Sequence, residues 1–231
     1  MRHLLSLASA SMIIFGAYRA FGQEREFANY NCAVTIPDGW QKMTNLPPQP
    51  GLIGAFARPD KTRLVMLVVD TQSHLSGPLD DRSVSEFERG LERSGGGNRV
   101  SGKFIEIGGI KAYERLGQAA VKGKTVSILL QVLVADGKVY SLQGMRFDGD
   151  VDRDPEIRGI FTSFRFITPP AAPTASSSAT STAYRAGYLV GRIGALALVF
   201  IGGVAIIGNM FGRRRNHKPQ PNVPPPLPPP R

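Results

Sequence analysis

From Ile193 to Phe211 the chain runs nineteen residues, IGALALVFIGGVAIIGNMF, without a formal charge. At about 1.5 Å per residue a helix of that length covers roughly 28 Å, enough to cross the hydrocarbon core of a bilayer. A helix buried in a water-soluble domain is seldom so long without a polar face. The segment therefore predicts a transmembrane helix, with bounds at 188–211. Arg213, Arg214, Arg215 and Lys218 follow it at once, and such clusters stay on the cytoplasmic side. Arg185 and Arg192 on the other flank weaken the asymmetry without reversing it. Residues 212–231 read as a cytoplasmic tail, first basic and then rich in proline.

The N-terminus supports the same placement. Arg2 precedes the apolar run LLSLASASMIIFGA, and Ala20–Gly22 offers small residues for cleavage, so 1–22 reads as a signal peptide or N-terminal anchor. Either outcome leaves the middle of the chain outside the cytoplasm. ANYNC before and at Cys32 lacks the small-residue run of a lipid-attachment signal. The chain has no Asn-x-Ser/Thr sequon, which leans towards a bacterial setting.

A net charge of +10 first suggests nucleic-acid binding. However, all 18 acidic residues lie between Glu24 and Glu156, where they meet 19 of the 28 Lys+Arg. The stretch from Gln23 to Pro170 is thus nearly neutral. The surplus sits beside the apolar segments and in the tails, where it cannot neutralise phosphates laid on a folded surface. The expected partner is the lipid bilayer, not nucleic acid. With Cys32 as the single cysteine there is no internal disulfide framework. Cys32 is expected as a small buried residue at the start of a strand, an intermolecular disulfide being the alternative.

One domain, 27–168, lies between the apolar ends. Residues 169–184, rich in Pro, Ser, Thr and Ala, read as a flexible tether. CAVTIP at Cys32–Pro37, LIGAFAR at Leu52–Arg58 and RLVMLVVD at Arg63–Asp70 predict strands, the last covered on both faces. SVSEFERGLER then changes period. Val84, Phe87 and Leu91 share a helical face, Ser83 and Glu86 make a capping box, and Gly95–Gly97 end the helix. From Lys103 to Phe147 the chain predicts a meander with reversals at Gly108-Gly109, Lys122-Gly123 and Asp136-Gly137. DPEIRGIFTSF is a second helix, with Asp154 as cap and Pro155 in the first turn. The fold class is α+β, a mostly antiparallel sheet flanked by helices, plus the transmembrane helix.

VTIPDGW at Val34–Trp40, a central run of hairpins and the closing IFTSFRF at Ile160–Phe166 resemble the PsbP-like domain superfamily. Members include an extrinsic subunit of the oxygen-evolving complex, a Ran-binding nuclear protein and bacterial DcrB-like envelope proteins. The resemblance implies an α/β/α sandwich and a role in binding or assembly, with no shared catalytic residues. Many bacterial members are lipoproteins, whereas this chain carries a C-terminal apolar helix.

Motifs for chemistry are few. His74 with Ser73 or Ser76 and Asp70 is the one arrangement from which a triad could assemble, in a stretch that reads as a solvated loop without a nucleophile elbow. One histidine and one cysteine in the domain cannot furnish a zinc site. GNRVSGKF at Gly97–Phe104 falls one residue short of a phosphate-binding loop, with Phe104 where Ser or Thr would hold magnesium. Asp148, Asp150 and Asp152 alternate as weak calcium ligands would, yet Arg153 and Gly159 stand where an EF-hand needs Gly and Glu. The plain reading is a polar turn before the last helix. Trp40, Tyr113, Tyr140 and Phe147 line either the core or a ligand pocket. No cofactor is expected. Gly187/Gly191 and Gly208/Gly212 suit close helix approach and a weak homodimer through the span, and Pro226–Arg231 suits a reader of polyproline II.

These features lead to a non-catalytic, membrane-anchored module outside the cytoplasm that binds or assembles an envelope protein. The alternatives are an ectoenzyme, such as a hydrolase, and a sensor signalling through its proline tail.

Overall fold

Left-handed backbone marks the places where the chain reverses. Gly108 and Gly109 (φ 57° and 79°), Gly123 (φ 77°), and Asp136 with Gly137 (φ 51° and 67°) sit at the tips of successive hairpins. The Asp-Gly pair matches the turn that continues strand twist. The computed structural model describes residues 22–71, 77–121, 123–171 and 183–196. In chain order the strands are β1 (Gly22–Phe27), β2 (Cys32–Pro37), β3 (Gln41–Lys42), β4 (Leu52–Ala57) and β5 (Arg63–Asp70). Helix α1 (Asp81–Arg93) follows, then β6 (Asn98–Ile107), β7 (Ile110–Val121), β8 (Lys124–Ala135) and β9 (Lys138–Arg146). Helix α2 (Pro155–Ser163) and β10 (Arg165–Phe166) close the expected domain. Residues 183–196 form a third helix, α3.

The main sheet has seven antiparallel strands in the order β3-β4-β5-β9-β8-β7-β6, and β1-β2-β10 form a small second sheet. Side-chain alternation divides the large sheet into two apolar faces. On the first, Val65, Leu67, Val69, Leu129, Leu133, Tyr140 and Leu142 pack with Ile157, Ile160 and Phe161 of α2 and with Cys32, Val34 and Ile36 of β2. Gly144 admits α2 at its nearest approach, since a Cβ there would meet Ile157 Cγ2 at 2.5 Å. On the second face, Tyr113, Leu130, Val132, Val134 and Val139 receive Val84, Phe87 and Leu91 of α1 with Ala183, Ala186 and Val190 of α3. Leu64, Met66, Val126, Ile128 and Met145 form a further cluster that receives Ile193. The expected α+β sheet flanked by helices is therefore present, with three helices.

Three features differ from the sequence reading. The helix expected from Ser83 starts earlier. Asp80 is its N-cap, accepting from Ser83 N at 2.7 Å while Asp80 N donates to Ser83 Oγ at 2.8 Å. A carboxylate at that position satisfies an orphan N–H and meets the positive helix end, so the Ser83–Glu86 box is not the one used. Strand β1 precedes the expected start of the domain and pairs along its whole length with β2, from Gly22↔Pro37 to Phe27↔Cys32.

The third difference is α3. It contains 183 and 184, assigned to the tether, and 188–196, assigned to the span. Ala183, Ala186, Val190 and Ile193 are at most 2% exposed, whereas Arg185, Tyr188 and Arg192 face outward. That is an amphipathic helix laid on a sheet. Gly187 and Gly191 are used within the chain: a Cβ on Gly187 would collide with the Phe87 carbonyl, and one on Gly191 would lie 3.2 Å from Ser94 Cβ. Gln143 Nε2 donates to the Val190 carbonyl at 2.9 Å. Among the described residues no helix is long and apolar enough to cross a membrane. Residues 197–211, the remainder of the expected span, lie outside the described residues, as do Gly208 and Gly212.

Candidate functional site

At the Asp136 end of the sheet the two sheets splay and leave an open cleft of about 370 Å³, bounded by Glu26–Tyr30 on one side and by Leu52 and Ile53 on the other. Local structure explains the opening. Strand β1 is an edge strand, and Asn31 in the left-handed region (φ 53°) turns the chain sharply into β2. Across the cleft the β4–β5 register shifts between Leu52 and Gly54, a bulge that lifts the start of β4. Phe27 reaches across onto Gly54, where a Cβ would lie 2.9 Å from the ring. The Tyr30 carbonyl accepts from Tyr140 Oη at 2.9 Å, so the floor is tied to the core. Asn31 further accepts from Thr168 N and Thr168 Oγ1, each at 2.8 Å, and donates to Asp136 Oδ2 at 3.1 Å. The result is a rigid rim with Glu26 exposed and Phe27, Tyr30, Leu52 and Ile53 half-buried. Such a surface can take an apolar side chain beside a cation.

The buried ionic groups are placed otherwise. Glu88 of α1 accepts from Tyr113 Oη and from Arg115 Nε, each at 2.7 Å, while Arg115 Nη2 donates to the Gly97 carbonyl at 2.8 Å. Burial, then the bond to Glu88, pushes the Tyr113 hydroxyl well above the usual phenol range. Arg115 is fully buried, and it fixes the end of α1 to the sheet. Glu114 points to the other face and accepts from Gln131 Nε2 at 2.8 Å and Arg158 Nη1 at 2.7 Å. Burial alone would raise its carboxyl, but the Arg158 and Gln131 bonds with the nearby cations outweigh that and hold it below the usual range. Asp154 caps α2 through Ile157 N at 3.1 Å and accepts from Arg63 Nε at 2.6 Å and Arg146 Nη1 at 3.1 Å. Each of these three carboxylates binds guanidinium, so they brace layers.

The residues singled out by sequence are dispersed. Asp148 pairs with Arg146 at 3.0 Å, Asp150 with Arg153 at 3.7 Å, and Asp152 with Arg158. Among the described residues no three His, Cys, Asp or Glu gather as a metal site. Asp70 ends β5, whereas Ser73, His74 and Ser76 lie outside the described residues, as do Arg213, Arg214, Arg215 and Lys218. Gly97–Phe104 leads from the end of α1 into β6, with no helix opened by it. Trp40 and Tyr140 belong to the first core cluster, Tyr113 to the second, and Phe147 borders the third, so they line no common pocket. Trp40 Nε1 donates to Glu156 at 3.1 Å. Cys32 is buried at the start of β2, as expected, and burial pushes its thiol up to about 12. The cleft escaped the sequence reading because its walls come from two different sheets, β1 with the turn after it on one side and β4 on the other. The pattern of β1, charged and alternating only weakly, gave no apolar signal.

No protein-family model and no curated protein matches the sequence. Solved structures do show likeness. Cyanobacterial PsbP from Synechocystis sp. PCC 6803 aligns with TM-score 0.47 and 16% identity over 69% of this chain and 98% of that one. The Ran-binding protein Mog1p of Saccharomyces cerevisiae aligns with TM-score 0.44 and 8% identity over 63% and 95%. LpqN, involved in cell envelope biogenesis of Mycobacterium tuberculosis, aligns with TM-score 0.39 and 13% identity over 62% and 83%. At these values the likeness is one of outline and conveys nothing about ligand or partner.

Proposed function

We propose that this chain is a single-pass, membrane-anchored binding or assembly module without catalytic activity. Its domain stands outside the cytoplasm, its C-terminus inside, and its cleft receives another envelope protein. The observation that carries the binding part is the rim at Glu26–Tyr30 and Ile53: half-buried apolar side chains beside backbone fixed by the Tyr140–Tyr30 and Thr168–Asn31 hydrogen bonds, next to the exposed Glu26 carboxylate, 3.8 Å from Arg165. A preorganised apolar patch with one charge suits an anchor side chain flanked by Lys or Arg. The anchored part rests on the uncharged stretch continuing past residue 196 and on the basic cluster beyond it.

A photo-crosslinking residue at Ile53 of the full chain in its own membranes tests this reading. One recurrent protein adduct is expected, strongly reduced by Glu26→Arg and absent when the crosslinker replaces Lys42 at the opposite end. Equal adducts from both positions, or an unrelated ladder of products, contradict it.

A further inference from the structure

Strand pairing places the beginning of the described chain. Gly22 pairs with Pro37, whose carbonyl accepts from Trp40 N at 3.3 Å; Gln41 pairs with Ala57, Ala57 with Leu64, and Arg63 with Arg146, which pairs with Ser127 near the start of β8. Gly22 therefore lies at the Lys124 end of the sheet. Helix α3 reaches the same end independently. Gly187 lies against Phe87 and Gly191 against Leu91 and Ser94, so α3 runs beside α1 in the same direction, and Ile193 packs with Val126, Ile128 and Met145. Beyond that, a Cβ on Gly95 would lie 3.5 Å from Ala195 Cβ. The chain leaves the first part of the domain at the opposite end, where Ala171 N donates to Asp136 Oδ1 at 2.7 Å. Helix α3 thus carries it back across the sheet, so both apolar terminal segments depart from one end.

We propose that this Lys124 end is a docking surface for lipid headgroups, and that the Asp136 end with its cleft points away from the bilayer. The inference rests on the anchored reading and adds the orientation. Charge agrees with it: Lys61, Arg93, Lys124 and Arg192 are exposed there and make no ion pair among the described residues. The acidic groups Asp148, Asp150 and Asp152 at this end are each tied to an arginine. Asp60 accepts from Thr62, Glu156 pairs with Arg58, buried Asp154 pairs with Arg63 and Arg146, and Asp38 and Glu92 complete the acidic set.

The test uses the full chain in phosphatidylcholine vesicles containing phosphatidylglycerol, with a fluorophore on Lys124→Cys or Lys138→Cys and a quencher on the lipid headgroup. Both positions lie at hairpins, and buried Cys32 stays unlabelled in the folded chain. The label at Lys138 lies about 36 Å from Lys124 along β8 and is expected to be quenched roughly threefold less. Quenching at Lys138 equal to or above that at Lys124, or none at either while the protein floats with the vesicles, overturns the orientation alone. Protein that does not float with the vesicles overturns the anchored reading and the inference with it.

Discussion

The two faces of the main sheet are covered by different means. The first is closed by α2 and the small sheet, all from residues 22–166, and its core is one cluster from Cys32 to Phe164. The second divides into two clusters and is closed by α1 together with α3, a helix that arrives from beyond residue 182 and packs through alanines and glycines. The contrast separates what a domain makes for itself from what it takes from the chain that tethers it. Buried ions and helix caps lock both faces, Asp154 on the first and Glu88 with Asp80 on the second. In the second, the helix that completes the layer also leads into the apolar C-terminal stretch. On the proposed reading, binding at the cleft and attachment at the opposite end act through one sheet.

The largest expected effect belongs to the first face. Asp154→Ala removes the cap of α2 and leaves Arg63 and Arg146 without their shared carboxylate, costing about 3–5 kcal/mol. Urea unfolding followed by the fluorescence of Trp40, the single tryptophan, measures it. Ile193→Ala comes next at about 2–4 kcal/mol, because the side chain is buried against Val126 and Met145. Tyr188→Ala, on the exposed side of α3, should change stability by less than about 0.5 kcal/mol. Equal effects of the two would remove the amphipathic distinction.

Acid provides a smaller, signed test. The folded carboxyl of Glu114 is held below its usual value of 4.5. Its stabilisation is present above that value and is lost as pH falls through the lower folded one. Glu114→Gln should therefore flatten the fall of the urea midpoint as pH drops below 4.5, and cost about 1–3 kcal/mol at pH 7 by disturbing the Arg158 and Gln131 bonds. Asp148→Asn should cost only about 0–1 kcal/mol, since that pair with Arg146 is half-exposed.

Local features of the first face were legible from sequence. Asp136-Gly137 reversed the chain, and Asp154-Pro155 opened α2. Non-local features were not. Glu88 meets Arg115 across 27 positions, and the cleft needs β1 beside β4. Helix α3 was obscured because the uncharged run from Ile193 reads as one continuous span. Arg185 and Arg192 stand seven residues apart and so share one helical side. That spacing was the signal of an amphipathic helix, where the sequence reading took the two arginines for flanks of a span. The cap at Asp80 was missed because Ser83 and Glu86 also satisfy a capping pattern, and only the start of α1 distinguishes them.

The docking of α3 on α1 is what unites these conclusions, and a disulfide trap reaches it most directly. A Cβ at residue 95 would stand 3.5 Å from that of Ala195, with no other contact within 4 Å, inside the roughly 3.5–4.5 Å of a natural bridge. In the full chain, Gly95→Cys with Ala195→Cys should join almost completely under mild oxidation, read by mass spectrometry of the linked peptides, while either single variant does not. Thiols that remain free in the double variant would show α3 away from the sheet.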